Sequence, residues 1–175
     1  MLIRCAETAD IDQIADLYVH NHRETYTGLL PDAYFDVLTP AYAREKWTDY
    51  LQDTGNRIWV ACEEDRFLGF SAGTADKELP DTWLLDSLHV TEESRGKGTG
   101  TALVRMNGSY AAENGFSKMS VCIVRGNERA RSLYRKLGAE HYSFFDDSFC
   151  HSISHSEKLV WDELPGFSGQ FPKHL

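Results

Sequence analysis

The sequence predicts a mixed α/β fold, a sheet with helices packed on its faces. Two observations carry this: short apolar runs bounded by turn residues, and segments whose apolar spacings of three and four mark helices. Their order is strand, helices, a run of strands, helix, strand, helix, strands, an order that layers helices on a sheet.

Leu2 to Ala6 reads as the first strand. Asp10 precedes Ile11, Ile14, Leu17 and Tyr18, the apolar stripe of an amphipathic helix with an aspartate cap that runs out near Gly28. Pro31 suits the first turn of a second helix, where its missing N–H costs nothing. A third helix, Ala41 to Leu51, is broken by Asp53-Thr54-Gly55-Asn56. Ile58 to Cys62 and Phe67 to Thr74, joined by the polar turn Glu63 to Arg66, form a hairpin. Trp83 to Val90 is a further strand and ends in a charged, glycine-rich loop. A helix begins near Gly98, keeps Leu103, Met106 and Tyr110 at helical spacing and stops at Gly115. Met119 to Val124 is a strand, and Asn127 to Leu137 a helix stopped by Gly138. Tyr142 to Phe145 and Glu157 to Trp161 are closing strands. No repeat or linker divides the chain, so residues 1–164 are expected to form one domain, with an irregular tail over 165–175.

A chain of 175 residues can bury a sizeable core without staples. Its net charge of −9 argues against nucleic-acid binding and against adhesion to anionic membranes, and is compatible with a cationic amine as partner. Cys5, Cys62, Cys122 and Cys150 make no C-x-x-C pair and read as free thiols. No stretch approaches the ~20 apolar residues needed to span a bilayer, and Met1-Leu2-Ile3-Arg4 has no leader pattern, so a cytoplasmic location is expected. His20 and His22 diverge on their helix, and His151 and His155 lack partners at ligand spacing, so no metal is expected.

The informative segment is the strand Leu88-His89-Val90 followed by Arg95-Gly96-Lys97-Gly98-Thr99-Gly100-Thr101. Glycines let the backbone approach a ligand, and loop N–H groups at a helix N-terminus converge on an anion. Arg95 and Lys97 add local positive charge, so the loop reads as a phosphate cradle. It fits neither a Walker loop, because Gly98 follows Lys97, nor a dinucleotide fingerprint, because the glycines fall at 96, 98 and 100. A second motif, Asn127 to Ala139, puts Ala130, Leu133 and Leu137 on one helical face, with Tyr134 at its edge.

Arg95-x-x-Gly98-x-Gly100 resembles the pyrophosphate loop of the GCN5-related N-acetyltransferase (GNAT) superfamily. Asn127 to Gly138 resembles that superfamily's N-x-x-A-x-x-x-Y-x-K-L-G signature, and Tyr26-Thr27-Gly28-Leu29-Leu30-Pro31 resembles its Y-x-G-x-L-P stretch. The departures are Thr99 for an aliphatic residue, Glu92 and Glu93 where proline is common, and Ala139 in place of an aromatic residue. The resemblance implies a mostly antiparallel sheet of about seven strands flanked by helices on both faces. It also implies acetyl-CoA as co-substrate, a primary amine as acceptor and, by analogy, compatibility with a homodimer. Small amines, polyamines, aminoglycosides, amino acids and protein N-termini all stay open as acceptors, and the acidic charge leans towards a small-molecule amine. Leu88, His89 and Val90 would then present backbone groups to the pantetheine arm, Leu88 N–H would face the thioester oxygen, and Arg95 to Thr101 would hold the diphosphate. Asn127 would bind the pantetheine chain or fix the sheet opening beside it.

Tyr134 is the candidate general acid toward the departing sulfur. Asp86 lies two residues before Leu88, so both side chains are expected on one face, and it is either the base or a structural strand residue. Glu24 and Tyr26 are further candidates for the base. Two other readings stay open: a catalytically silent acyl-CoA-binding or sensing module on the same fold, and a nucleotide-phosphate protein that uses the loop differently.

Overall fold

The computed structural model describes residues 1–149 and 152–164. The expectations placed on Cys150, His151 and the tail over 165–175 lie outside the described residues. The chain runs through β1 (Leu2–Cys5), α1 (Ile11–Tyr26), α2 (Asp32–Val37), α3 (Pro40–Gln52), β2 (Arg57–Glu63), β3 (Arg66–Ala75) and β4 (Thr82–Val90). It continues through α4 (Thr99–Glu113), β5 (Lys118–Val124), α5 (Glu128–Lys136), β6 (Glu140–Phe149) and β7 (Ser152–Trp161). The strands form one sheet in the order β1-β2-β3-β4-β5-β7-β6, in which β4–β5 is the parallel pair and the other pairs are antiparallel. This is the mixed α/β sheet the sequence predicts, with the seven strands and mostly antiparallel pairing that the family resemblance implies.

Each face buries its own core. On one face α1, α2 and α3 contribute Ile14, Tyr18, Tyr34 and Trp47 against Val60, Phe70 and Ala72 of the sheet. On the other face α4 and α5 set Val104 and Tyr134 against Trp83, Leu85, Met119 and Trp161. Trp83 Nε1 donates to Asn107 Oδ1 at 3.0 Å, and Asn107 in turn donates to Ser71, which satisfies a polar group deep in that second core.

Two local expectations are corrected. Asp10 does not cap α1 through its side chain; its carboxylate accepts the Glu7 N–H at 2.7 Å and a fork from Arg4 at 2.7 and 2.8 Å. The closing strands are ten residues each, far longer than the apolar cores of the same segments, because cross-strand pairing carries them through polar stretches.

The correction that matters for function is at Asp86. Ser87 pairs with Ala72, yet Leu85 pairs with Gly73, so Asp86 is the extra residue of a β-bulge. The bulge breaks the two-residue period. Leu88 packs into the α4–α5 core, whereas Asp86 faces Lys46 and Tyr18 of the α1–α3 side. The two side chains therefore do not share a face.

The parallel β4–β5 ladder runs from Thr82↔Lys118 to Leu85↔Val121 and goes no further. Beyond it β4 stays on β3 as far as Val90, and β5 stays on β7 as far as Val124, so the sheet forks between them. The fork opens at the bulge, where the extra residue adds local twist.

Candidate active site

A cleft of about 630 Å³ lies along the open side of β4, with the glycine loop at one end. Gly96 and Gly98 have φ of +74° and +88°, a left-handed backbone that side chains with a Cβ disfavour. A Cβ built at either glycine meets no heavy atom within 4 Å. Gly98 is the N-cap of α4 and has no side chain to satisfy the first-turn N–H groups, so the positive end of a fifteen-residue helix faces the cleft bare. The residues present therefore fit an anion such as a diphosphate.

Leu88, His89, Val90, Arg95, Gly96, Gly98, Gly100, Thr101, Asn127 and Tyr134, all singled out from the sequence, line this one cleft. Lys97 and Thr99 do not: the Lys97 side chain is exposed and that of Thr99 is buried beneath the loop. Arg95 is held by a partner that sequence reasoning missed. Its guanidinium forks onto Glu24 of α1 and also donates to Asn21 Oδ1 at 3.2 Å, while Asn21 Nδ2 donates to the Val90 carbonyl at 3.1 Å. These partners lie 71 and 74 residues from Arg95, and no local pattern links them. Glu24 is thereby committed to the phosphate loop, and the Arg95 guanidinium holds its carboxyl below the usual range.

Asn127 caps α5, its Oδ1 accepting the Ala130 N–H at 3.2 Å, and it lines the cleft beside Tyr26. Tyr134 is buried about two turns along that helix, edge-on to Trp161 with ring centroids 5.7 Å apart. Tyr134 lines both the cleft and a smaller inner cavity of about 190 Å³ on the far side of the fork. Burial pushes its phenol well above the ordinary range, so it is protonated at neutral pH.

Asp86 lines the inner cavity, with its carboxylate open to the cavity space and protein on most sides. Burial raises its pKa, and Lys46 and Ser87 pull the other way. His89 turns its ring into the α1 face, 5.1 Å from Phe70, 5.3 Å from His22 and 5.4 Å from Tyr18, where burial lowers it to about 3 and keeps it neutral. The cavity walls include three residues of α1: Tyr18, which the sequence reading left as helix packing, His22, which it weighed only as a metal ligand, and Tyr26, a further candidate for the base.

A forked parallel pair with an anion cradle at its mouth and a buried phenol at the fork defines an acetyltransferase-type α/β protein. The sequence matches the model of the Acetyltransferase (GNAT) family over residues 13–139, and the chain belongs to that family of N-acetyltransferases. It is 30% identical over 154 residues to YhfO of Bacillus subtilis, an uncharacterized N-acetyltransferase, covering 86% of this chain and 95% of that one. Its fold matches the crystal structure of ribosomal-protein-alanine N-acetyltransferase from Brucella melitensis (TM-score 0.73, 21% identity, 92% and 99% of the two chains). It also matches YncA of Salmonella typhimurium, solved with its cofactor acetyl-CoA (TM-score 0.73, 20% identity, 100% and 99% covered). These likenesses establish the fold.

Proposed function

We propose that the chain transfers an acetyl group from acetyl-CoA to the primary amine of a small molecule by direct attack, in the cytoplasm. The observation that supports this most is the position of Tyr134. Its phenol, buried where that of Tyr26 is only half-buried, lines both the cleft at the glycine loop and the cavity that holds Asp86.

When bound, acetyl-CoA supplies an acyl group activated on sulfur. The N–H groups from Arg95 to Thr101 would hold the diphosphate, the backbone of Leu88, His89 and Val90 would face the pantetheine arm, and Asn127 would border it. The Leu88 N–H stabilises the negative charge that grows on the acyl oxygen. Asp86 takes the proton that the amine must lose, directly or through water, and its burial-raised pKa makes it a stronger base than an exposed carboxylate. Tyr134 hydrogen-bonds the departing thiolate. A thiol has a pKa near ~8.5, below that of a phenol, so the proton is shared with the sulfur more than handed over.

The test follows free thiol in mixtures of the protein, acetyl-CoA and a panel of amines. Release that requires both partners is expected, and Tyr134→Phe should lower turnover while leaving coenzyme A affinity by calorimetry little changed. Binding without release from any amine would make this a silent acyl-CoA-binding protein, and no binding at all would overturn the reading entirely.

A further inference from the structure

An outer cavity of about 220 Å³ adjoins the inner one, and the two share Tyr18, His22, Tyr26 and Lys46 among their walls. Together they lie across the fork from the glycine loop, where an acceptor amine would enter. Lys46 of α3 is the only lysine or arginine among the described residues that line either cavity. Its Nζ donates to the Tyr18 hydroxyl at 3.3 Å and lies 4.8 and 5.0 Å from the Tyr18 and Trp47 ring centroids.

Lys46 differs from the other half-buried or buried lysine of this face. Lys158 is neutralised by Asp76 at 3.1 Å and Glu78 at 2.6 Å. Lys46 has no carboxylate at ion-pair distance among the described residues; Asp86 acts on it only as a charge across the inner cavity. Among the other titratable walls, burial keeps His22 and His89 neutral, at about 2 and about 3, raises Cys122 to about 11, and raises Tyr18 and Tyr34 well above the ordinary phenol range, while Asp147 adds a carboxylate to the outer cavity alone. The inner cavity therefore presents one fixed cation and one carboxylate, walled by aromatic rings.

We infer that the acceptor is a primary amine that also carries a carboxylate, of the free amino-acid class, with its carboxylate on Lys46 and its amine toward Asp86. This rests on the acetyl-transfer reading above and names its substrate class. A half-buried lysine without a carboxylate at ion-pair distance is a ready anion site, and a lysine and a carboxylate lining one small cavity select a zwitterion. A polyamine would set a second ammonium against Lys46. A protein N-terminus would offer an amide in place of the carboxylate. The net charge of −9 suggested a cationic acceptor, but the local field in the cavity has the opposite sign at Lys46.

The experiment measures kcat/KM by thiol release for a panel of L-amino acids, each beside its carboxamide, with spermidine as a dicationic control. The wild type should prefer at least one free acid over its amide by about ten- to a hundredfold, the worth of one charge-assisted hydrogen bond. Lys46→Met should bring that ratio toward one, and Lys46→Arg should keep it. Thiol release with amines but an acid-to-amide ratio near one, or a preference for spermidine, overturns this inference and leaves the acetyl-transfer reading standing. Release from no amine overturns both. If the variants fail to fold, the wild-type ratio decides alone.

Discussion

Arg95, in the glycine loop, forks onto Glu24 of α1: Nη1 donates to one carboxylate oxygen at 2.6 Å and Nη2 to the other. The pair spans the mouth of the cleft and withholds the loop's arginine from any anion that binds there. Its worth to stability is small, under about 1 kcal/mol, because Glu24 is nearly half exposed. Glu24→Gln should therefore leave the melting temperature almost unmoved and tighten coenzyme A binding by about three- to tenfold at low salt, an effect that shrinks as salt is added. Calorimetric titration at two ionic strengths checks this. Weaker binding in the variant would show that the fork instead holds the loop in its binding shape.

Asp10 has the opposite balance. Its carboxylate is buried and takes a two-pronged bond from Arg4 together with the Glu7 N–H. The Arg4 hydrogen bond holds its pKa below the ordinary value. For a depressed carboxyl the stabilisation is fully present above the unfolded pKa, near ~4, and is lost as pH falls through the folded value. Asp10→Asn should cost on the order of 2 kcal/mol at pH 7 and flatten the fall of stability below pH ~4. Denaturant midpoints at pH 7 and pH 3 check both.

The ends of α4 and α5 are legible because caps and glycines act within a few residues, and Asn127 and Gly98 sit at the N-cap positions their residue types favour. The glycine loop was legible for the same reason. The bulge at Asp86 was not, because Thr82 to Val90 reads as one continuous strand and the extra residue exists only relative to β3. The Arg95–Glu24 fork and the placement of Lys46 near Asp86 join residues tens of positions apart, where local pattern carries no information. The full length of β6 and β7 was hidden because Asp146 and Asp147 are polar residues held in a strand by their partners, not by propensity.

Asp86 should separate activity from stability. Burial raises its pKa, so as a base it is lost at a higher pH than an ordinary carboxylate as the solution is acidified. The acid limb of kcat/KM should lie above pH ~4 and vanish in Asp86→Asn, with activity down about a hundredfold or more. The sign for stability is reversed. A carboxyl whose folded pKa is raised loses stability as pH climbs from its unfolded value to its folded one, so Asp86→Asn should melt higher than the wild type at pH 7. Retention of the wild-type acid limb in the variant would remove Asp86 as the base.

Gly98 and Gly115 bracket α4, with φ of +88° and +83° and no heavy atom within 4 Å of a built Cβ at either. Alanine at each position should cost the same, about 1–2 kcal/mol, because the left-handed backbone penalises any Cβ equally. Their surroundings differ: Gly98 faces the cleft at the positive end of the helix, while Gly115 closes the other end, outside it. Gly98→Ala should therefore weaken coenzyme A binding by tenfold or more, since the new methyl occupies the space in which a diphosphate approaches the bare N–H groups. Gly115→Ala should melt equally early and bind coenzyme A as the wild type does. Matched affinities in the two variants would mean that no phosphate rests against Gly98, and the loop would then have to be read as a turn that serves the fold alone.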